Sequence, residues 1–210
     1  MSSTTPRHSL YWLPNALTIG RICLIPILVY GILAVGLGWN SAIAGQLANI
    51  WIVAAIFIIA ALTDFLDGFL ARRWSVTSSF GRMIDPIADK LLVAGCLIAF
   101  MIASQGDALI VIPAMVIIFR DIFVSGIREH AALSAKAMPP TKLAKWKTAC
   151  EMLAIAVLLI WLFGRAYLAI DTRITDTAGT ARVIGLVLLW LAAILSVYTG
   201  QLYLRAALKD

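Results

Sequence analysis

Long apolar stretches alternate with short polar segments along almost the whole chain. Each stretch is long enough for a helix that crosses a hydrocarbon core of about 30 Å, which requires roughly 20 residues. None shows the strict alternation that is typical of a membrane β-strand, and a lipid-exposed backbone must satisfy its own hydrogen bonds. The pattern predicts an all-α membrane protein with six transmembrane helices, at about residues 16–37, 43–66, 86–104, 107–134, 143–164 and 183–205.

The composition supports a membrane protein. Hydrophobic residues make up 62% of the 210 residues and charged residues only 13%, whereas a soluble domain is near half apolar and a quarter charged. A soluble core of this size could not bury so many apolar side chains. No repeat or low-complexity tract divides the chain, so we expect residues 1–210 to form a single membrane domain.

Most of the positive charges lie in the short segments between the apolar stretches. The formal net charge is +6, but the lysines and arginines do not form the single basic face that is typical of nucleic-acid-binding domains. Anionic membrane lipid is therefore the expected partner, and nucleic acid is not.

The distribution of lysine and arginine between the loops predicts the orientation of the helices. The first and third loops have none, and the second and fourth hold Arg72, Arg73, Arg82, Lys136, Lys142, Lys145 and Lys147. Both termini should therefore face the cytoplasm. The fifth loop is an exception, because Arg165, Arg173 and Arg182 fall on the predicted outer side.

Four aspartates bracket the second loop. Asp64 and Asp67 are three residues apart, and Asp85 and Asp89 are four apart, so each pair projects from one face of a helix. Two unit charges 4 Å apart repel by about 4 kcal/mol at an effective dielectric constant of 20, and clustered carboxylates therefore take up protons or bind cations. Oxygen ligands without histidine or cysteine suit Mg²⁺, Mn²⁺ or Ca²⁺. The spacing predicts a divalent-metal site beside the cytoplasmic loop.

These residues also have other interpretations. Asp85 precedes Pro86 and could simply be the N-cap of a helix that begins at the proline. Gly68, Ala71 and Gly81 could be small residues that let membrane helices approach closely. The acids could also belong to a divalent-cation carrier, although an ion path would require acids distributed through the depth of the membrane.

The same segment resembles the signature of the CDP-alcohol phosphatidyltransferase family, D-x-x-D-G-x-x-A-R-x8-G-x3-D-x3-D. The matching residues are Asp64, Asp67, Gly68, Ala71, Arg72, Gly81, Asp85 and Asp89. The resemblance implies a six-helix fold in which the four aspartates hold two ions of Mg²⁺ or Mn²⁺. It implies that Asp89 is the general base for the acceptor hydroxyl, although the sequence by itself leaves Asp85 as an alternative. It also implies a CDP-diacylglycerol site at Asp67, Gly68, Ala71, Arg72 and Gly81.

A second set of charged residues follows the aspartates. Its members are Arg120 and Arg128 in the fourth apolar stretch and Lys142, Lys145 and Lys147 at the start of the fifth. Arg120 lies well inside its stretch, where an unpaired guanidinium is costly. The set could bind the phosphate of a glycerol phosphate acceptor. Alternatively, Arg120 could pair with Asp121 or with another helix, while the lysines only follow the positive-inside rule.

Three further segments resemble the bacterial phosphatidylglycerophosphate synthases of this family. They are residues 13–18 with Arg21, residues 120–129 and residues 143–148. The resemblance implies supporting roles for Asn15, Thr18 and Arg21. Glu151 departs from the glutamine expected at that position, and residues 165–182 carry no recognised motif.

The resemblance also implies an activity and a location. The expected reaction transfers the phosphatidyl group of CDP-diacylglycerol to sn-glycerol 3-phosphate and releases CMP. The main alternative is a CDP-alcohol-type cardiolipin synthase, whose acceptor is phosphatidylglycerol. We expect this protein to be a multi-pass homodimer in the bacterial inner membrane, with its active site facing the cytoplasm.

Overall fold

Six helices and no strand make up the described parts of the chain. The computed structural model describes residues 13–39, 50–63, 79–133, 142–167 and 175–208. The helices are α1 (Leu13–Gly36), α2 (Ile50–Thr63), α3 (Ser79–Ala103), α4 (Ala108–Leu133), α5 (Lys142–Tyr167) and α6 (Thr175–Ala207). All except α2 are long and apolar enough to cross a membrane. The predicted all-α membrane fold is confirmed. The second span is described only over α2, and the cytoplasmic location of both termini stays a prediction.

The helices pack around an apolar core. Extensive contacts join α5 to α6, α1 to α3, and α4 to α6. Leu28, Phe100, Ile117, Leu158 and Leu189 are fully buried between them. Many large apolar side chains on the other faces are exposed, which is favourable where the surrounding solvent is lipid.

The third helix begins earlier than the sequence predicted. α3 starts at Ser79 and continues through Pro86, because membrane helices tolerate a proline whose freed backbone groups are satisfied by neighbouring groups. Asp85 is therefore inside the helix, and the interpretation of Asp85 as an N-cap is wrong. Asp85 and Asp89 instead lie one turn apart on a continuous helix, so their carboxylates share one face.

The loop between α3 and α4 is fastened to α6. Asp107 caps α4, since its Oδ1 accepts a hydrogen bond from the N–H of Leu109 at 3.0 Å. Its Oδ2 accepts a hydrogen bond from Arg182 at 2.6 Å. The Arg182 guanidinium, together with the Leu109 N–H, holds the pKa of Asp107 below its usual value.

The bounds of α5 and α6 explain part of the exception in the fifth loop, where arginines fall on the predicted outer side. α5 extends to Tyr167 and α6 already begins at Thr175, so Arg165 and Arg182 belong to helices and not to a long loop. Arg182 pairs with Asp107, as described above, and the guanidinium of Arg165 lies 5.4 Å from the ring centre of Trp161. Both cations therefore have local partners that stabilise them at this end of the bundle.

The close approach of α5 and α6 depends on Gly164. A Cβ at this position would lie 2.7 Å from the Cβ and 3.3 Å from the Cα of Ala178, so the helices would have to separate. We expect Gly164→Ala to lower the free energy of unfolding by about 1–3 kcal/mol, measured as a lower Tm in detergent micelles. Gly179→Ala is the matched control, because a Cβ there meets nothing within 4 Å. Equal Tm values for the two variants would contradict this account of the packing.

Candidate active site

A cavity of about 750 Å³ opens at the end of the bundle where α4 ends and α5 begins. The charged residues that line it are Lys90, Arg120, Arg128, Lys145, Lys147, Asp89, Asp121 and Glu151. Five are basic and three are acidic, a formal excess of two positive charges, which favours an anionic ligand. The structure thus brings four of the five predicted acceptor-binding cations into one cavity with Asp89, the predicted base. The side chain of the fifth, Lys142, lies outside the described part of the structure.

One helix, α3, carries the described half of the predicted metal site. Asp89 faces the cavity and Asp85 lies one turn before it, while Gly81 is buried near the start of the helix. Outside the described residues lie Asp64, Asp67, Gly68, Ala71 and Arg72. Within the described residues, no group of three or more acidic, histidine or cysteine side chains could hold a metal ion. The two carboxylates of α3 are hard oxygen ligands of the kind that Mg²⁺ and Mn²⁺ prefer, and so fit their half of the predicted set.

Helix α1 contacts Asp85 of α3. Thr18 donates a hydrogen bond to Oδ1 of Asp85 at 2.8 Å, and both Thr18 and Arg21 are almost completely buried. Asn15, Thr18 and Arg21 follow one another at intervals of three residues, so they lie along one face of α1. The hydrogen bond from Thr18 restrains the carboxylate of Asp85, which gives one of the three predicted supporting residues a defined contact.

Arg120 is anchored on three sides. Its Nε donates to the carbonyl oxygen of Ser196 at 2.9 Å, and its Nη2 donates to Oγ1 of Thr199 at 2.7 Å. Its Nη1 pairs with Oδ1 of Asp121 at 2.9 Å. The sequence left open whether Arg120 would pair with Asp121 or with another helix, and it does both. These contacts join α4 to α6 while the guanidinium remains part of the cavity wall.

Lys147 extends this network to α5. Its Nζ lies 2.5 Å from Oδ1 of Asp121 and 2.8 Å from Oε1 of Glu151. Only 4% of Lys147 and 2% of Glu151 are exposed. The ammonium is therefore shared between two carboxylates, and that of Asp121 also pairs with Arg120.

The other two predicted cations of the cavity are less constrained. Arg128 and Lys145 are both exposed. Within the described residues, neither has an ion-pair partner. Their charges are therefore available to an anionic ligand that enters the cavity, whereas those of Arg120 and Lys147 are already compensated.

Sequence reasoning gave no role to three polar residues of this cavity, Lys90, Ser125 and Glu151. Lys90 donates a hydrogen bond to Oγ of Ser125, and this hydroxyl donates to the carbonyl oxygen of Asp121 at 2.6 Å. Glu151 is the third. For Lys90 and Glu151 the available signal was a charged side chain inside an apolar stretch, which is costly unless it is paired or functional. Lys90 directly follows Asp89, so attention to intramembrane lysines would have found it.

Comparisons with known proteins identify the family and the relatives that the chain resembles. The sequence model of the CDP-alcohol phosphatidyltransferase family matches residues 11–198. A Rickettsia bellii protein named CDP-diacylglycerol–glycerol-3-phosphate 3-phosphatidyltransferase is 38% identical over 197 residues, which cover 94% of this chain and 96% of that protein. A Rickettsia felis protein of the same name is 36% identical over 197 residues with the same coverage.

A relative with a different name is less similar and is matched over a smaller share of its own length. A protein of Oryza sativa subsp. japonica named cardiolipin synthase (CMP-forming) is 33% identical over 211 residues, which cover 95% of this chain and 58% of that protein. The family match spans almost the whole chain, and it includes the aspartates of α3 and the cations of the cavity. The chain therefore belongs to the CDP-alcohol phosphatidyltransferase family.

Proposed function

We propose that this protein transfers the phosphatidyl group of CDP-diacylglycerol to sn-glycerol 3-phosphate, giving phosphatidylglycerophosphate and CMP. The observation that carries the proposal is the cavity in which Asp89 and five basic side chains meet. A base beside an anion-binding wall suits an acceptor that has both a hydroxyl and a phosphate. The names of the Rickettsia relatives favour the same reaction and not a divalent-cation carrier.

The proposed reaction is a displacement at phosphorus. The acceptor hydroxyl oxygen forms a bond to the phosphorus that carries diacylglycerol, and the bond from this phosphorus to the CMP oxygen breaks. CMP leaves with the electron pair of the broken bond, while Asp89 accepts the proton of the hydroxyl. A positioned base of this kind contributes roughly 10²–10⁴-fold to the rate.

Four aspartates are proposed to hold two ions of Mg²⁺ or Mn²⁺: Asp64, Asp67, Asp85 and Asp89. Bound metal ions would neutralise the negative charge of the diphosphate and of the departing CMP. Thr18 supports this arrangement because it restrains Asp85 through a 2.8 Å hydrogen bond. The remaining donor contacts are assigned to Gly68, Ala71, Arg72 and Gly81.

The acceptor phosphate is assigned to the cations of the cavity. Arg128 and Lys145 are the principal contacts in this proposal, because their charges are uncompensated within the described residues. Arg120 and Lys147 line the same cavity, and their charges are compensated by Asp121 and Glu151. The lysines and arginines of the second and fourth loops of the sequence favour a cytoplasmic orientation of the site.

The deciding experiment measures CMP release by the purified protein with CDP-diacylglycerol and Mg²⁺ or Mn²⁺. Glycerol 3-phosphate, phosphatidylglycerol, inositol phosphate and serine are offered separately as acceptors. We expect release that depends on glycerol 3-phosphate, is lost with a chelator and returns when the metal is restored. Release that depends on phosphatidylglycerol alone would replace the proposal with a cardiolipin synthase, the name of the rice relative.

A further inference from the structure

A chain of alternating charges crosses the wall of the cavity. It runs from Arg120 to Asp121 at 2.9 Å, from Asp121 to Lys147 at 2.5 Å, and from Lys147 to Glu151 at 2.8 Å. Two positive and two negative charges make this chain formally neutral. As a unit it adds no net attraction for an anion, so the positive excess of the cavity comes from its other charged residues.

Without Glu151, Lys147 would keep one carboxylate partner, and the chain would carry one uncompensated positive charge. The ammonium already has a carboxylate partner, Asp121, at 2.5 Å. Burial of a second carboxylate at 2% exposure carries a desolvation cost. It also places a negative charge in the wall of a cavity whose net charge is positive, where it opposes the binding of an anion. Glu151 therefore opposes binding of the anionic ligand that the other charged residues of the cavity attract.

We propose that Glu151 sets the affinity of the cavity for phosphorylated acceptors. Its carboxylate competes with the acceptor phosphate for the ammonium of Lys147 and thereby weakens acceptor binding. Glu151 is thus a specificity-determining residue that disfavours more highly charged acceptors relative to less charged ones. The inference rests on the proposed function, because it concerns the acceptor half of the same site.

The test is the isosteric variant Glu151→Gln, which removes the charge and keeps the shape. We expect its KM for glycerol 3-phosphate to fall about ten-fold. The change in kcat should be much smaller, because the variant would bind the acceptor more tightly in the ground state and in the transition state alike. Lys147 keeps Asp121 as its partner in this variant, so the network stays paired. A residue with only a structural role would not improve acceptor binding when it is replaced.

Glu129→Gln is the matched control. Glu129 is an exposed acid of α4 that does not line the cavity, so its replacement changes the net charge of the protein equally. We expect an unaltered KM for this variant. A KM for glycerol 3-phosphate that is unchanged or higher in Glu151→Gln would overturn the inference, and so would an equal decrease in the control.

A double-mutant cycle with Lys147→Met identifies the charge through which Glu151 acts. In that background we expect Glu151→Gln to give a clearly smaller decrease in KM, because the ammonium that it would release is absent. A full ten-fold decrease there would overturn the role of the Lys147 pair. The unaltered protein is assayed first. If it releases CMP with glycerol 3-phosphate, the proposed function holds and the variants test only the role of Glu151. If it releases no CMP with glycerol 3-phosphate, the proposed function is wrong.

Discussion

Replacement of Asp85 by asparagine is expected to lower kcat for CMP release at least about a thousand-fold while the protein remains folded. Removing the negative charge weakens binding of a divalent ion, and a metal contributes several kcal/mol of charge stabilisation to such a transition state. The amide oxygen of asparagine can still accept the hydrogen bond that Thr18 donates at 2.8 Å. Loss of activity should therefore occur without loss of the contact between α1 and α3.

The variant is assayed with CDP-diacylglycerol and glycerol 3-phosphate over a range of Mg²⁺ and Mn²⁺ concentrations, and its Tm is measured in the same detergent. Asp107→Asn is the matched control, because Asp107 lies in the loop at the opposite end of the bundle. We expect it to lower Tm slightly through the weakened pair with Arg182, with kcat retained. Wild-type kcat in Asp85→Asn would remove Asp85 from the metal site.

The sequence predicted the helices well because the apolar stretches are long and separated by polar segments. The largest errors lie at helix starts. α3 begins at Ser79 because Pro86 does not end a helix in lipid, and α6 begins at Thr175 because a polar first turn can extend beyond the apolar stretch. Hydrophobicity marks where a helix contacts lipid, but it does not mark where the backbone stops being helical.

The candidate site was predictable where spacing along one helix determines neighbours. Asp85 and Asp89 share a face because they are four residues apart. Pairings between helices were not predictable in the same way. Asp121 meets Lys147 across α4 and α5, and Arg120 meets Thr199 across α4 and α6, because helix packing decides which residues face each other.

The same packing separates two kinds of basic residue in the acceptor cavity. We expect Lys145→Ala to raise the KM for glycerol 3-phosphate by about 10- to 100-fold with a smaller effect on kcat, since a lost charged contact costs roughly 1.5–3 kcal/mol. Lys145 is exposed and has no ion-pair partner within the described residues. Its removal should therefore leave Tm unchanged.

Arg120→Ala should raise the same KM and also lower Tm, because it breaks the hydrogen bonds to Ser196 and Thr199 of α6.

Arg205→Ala is the control for general electrostatics. Arg205 is an exposed cation in the last turn of α6 and does not line the cavity, so its loss removes one positive charge at the same end of the bundle. Steady-state kinetics with varied glycerol 3-phosphate, and separately with varied CDP-diacylglycerol, distinguish an acceptor contact from a donor contact. An unchanged acceptor KM in both Lys145→Ala and Arg120→Ala would mean that the phosphate binds elsewhere. A Tm loss confined to Arg120→Ala would identify that arginine as the residue that couples the cavity wall to the stability of the bundle.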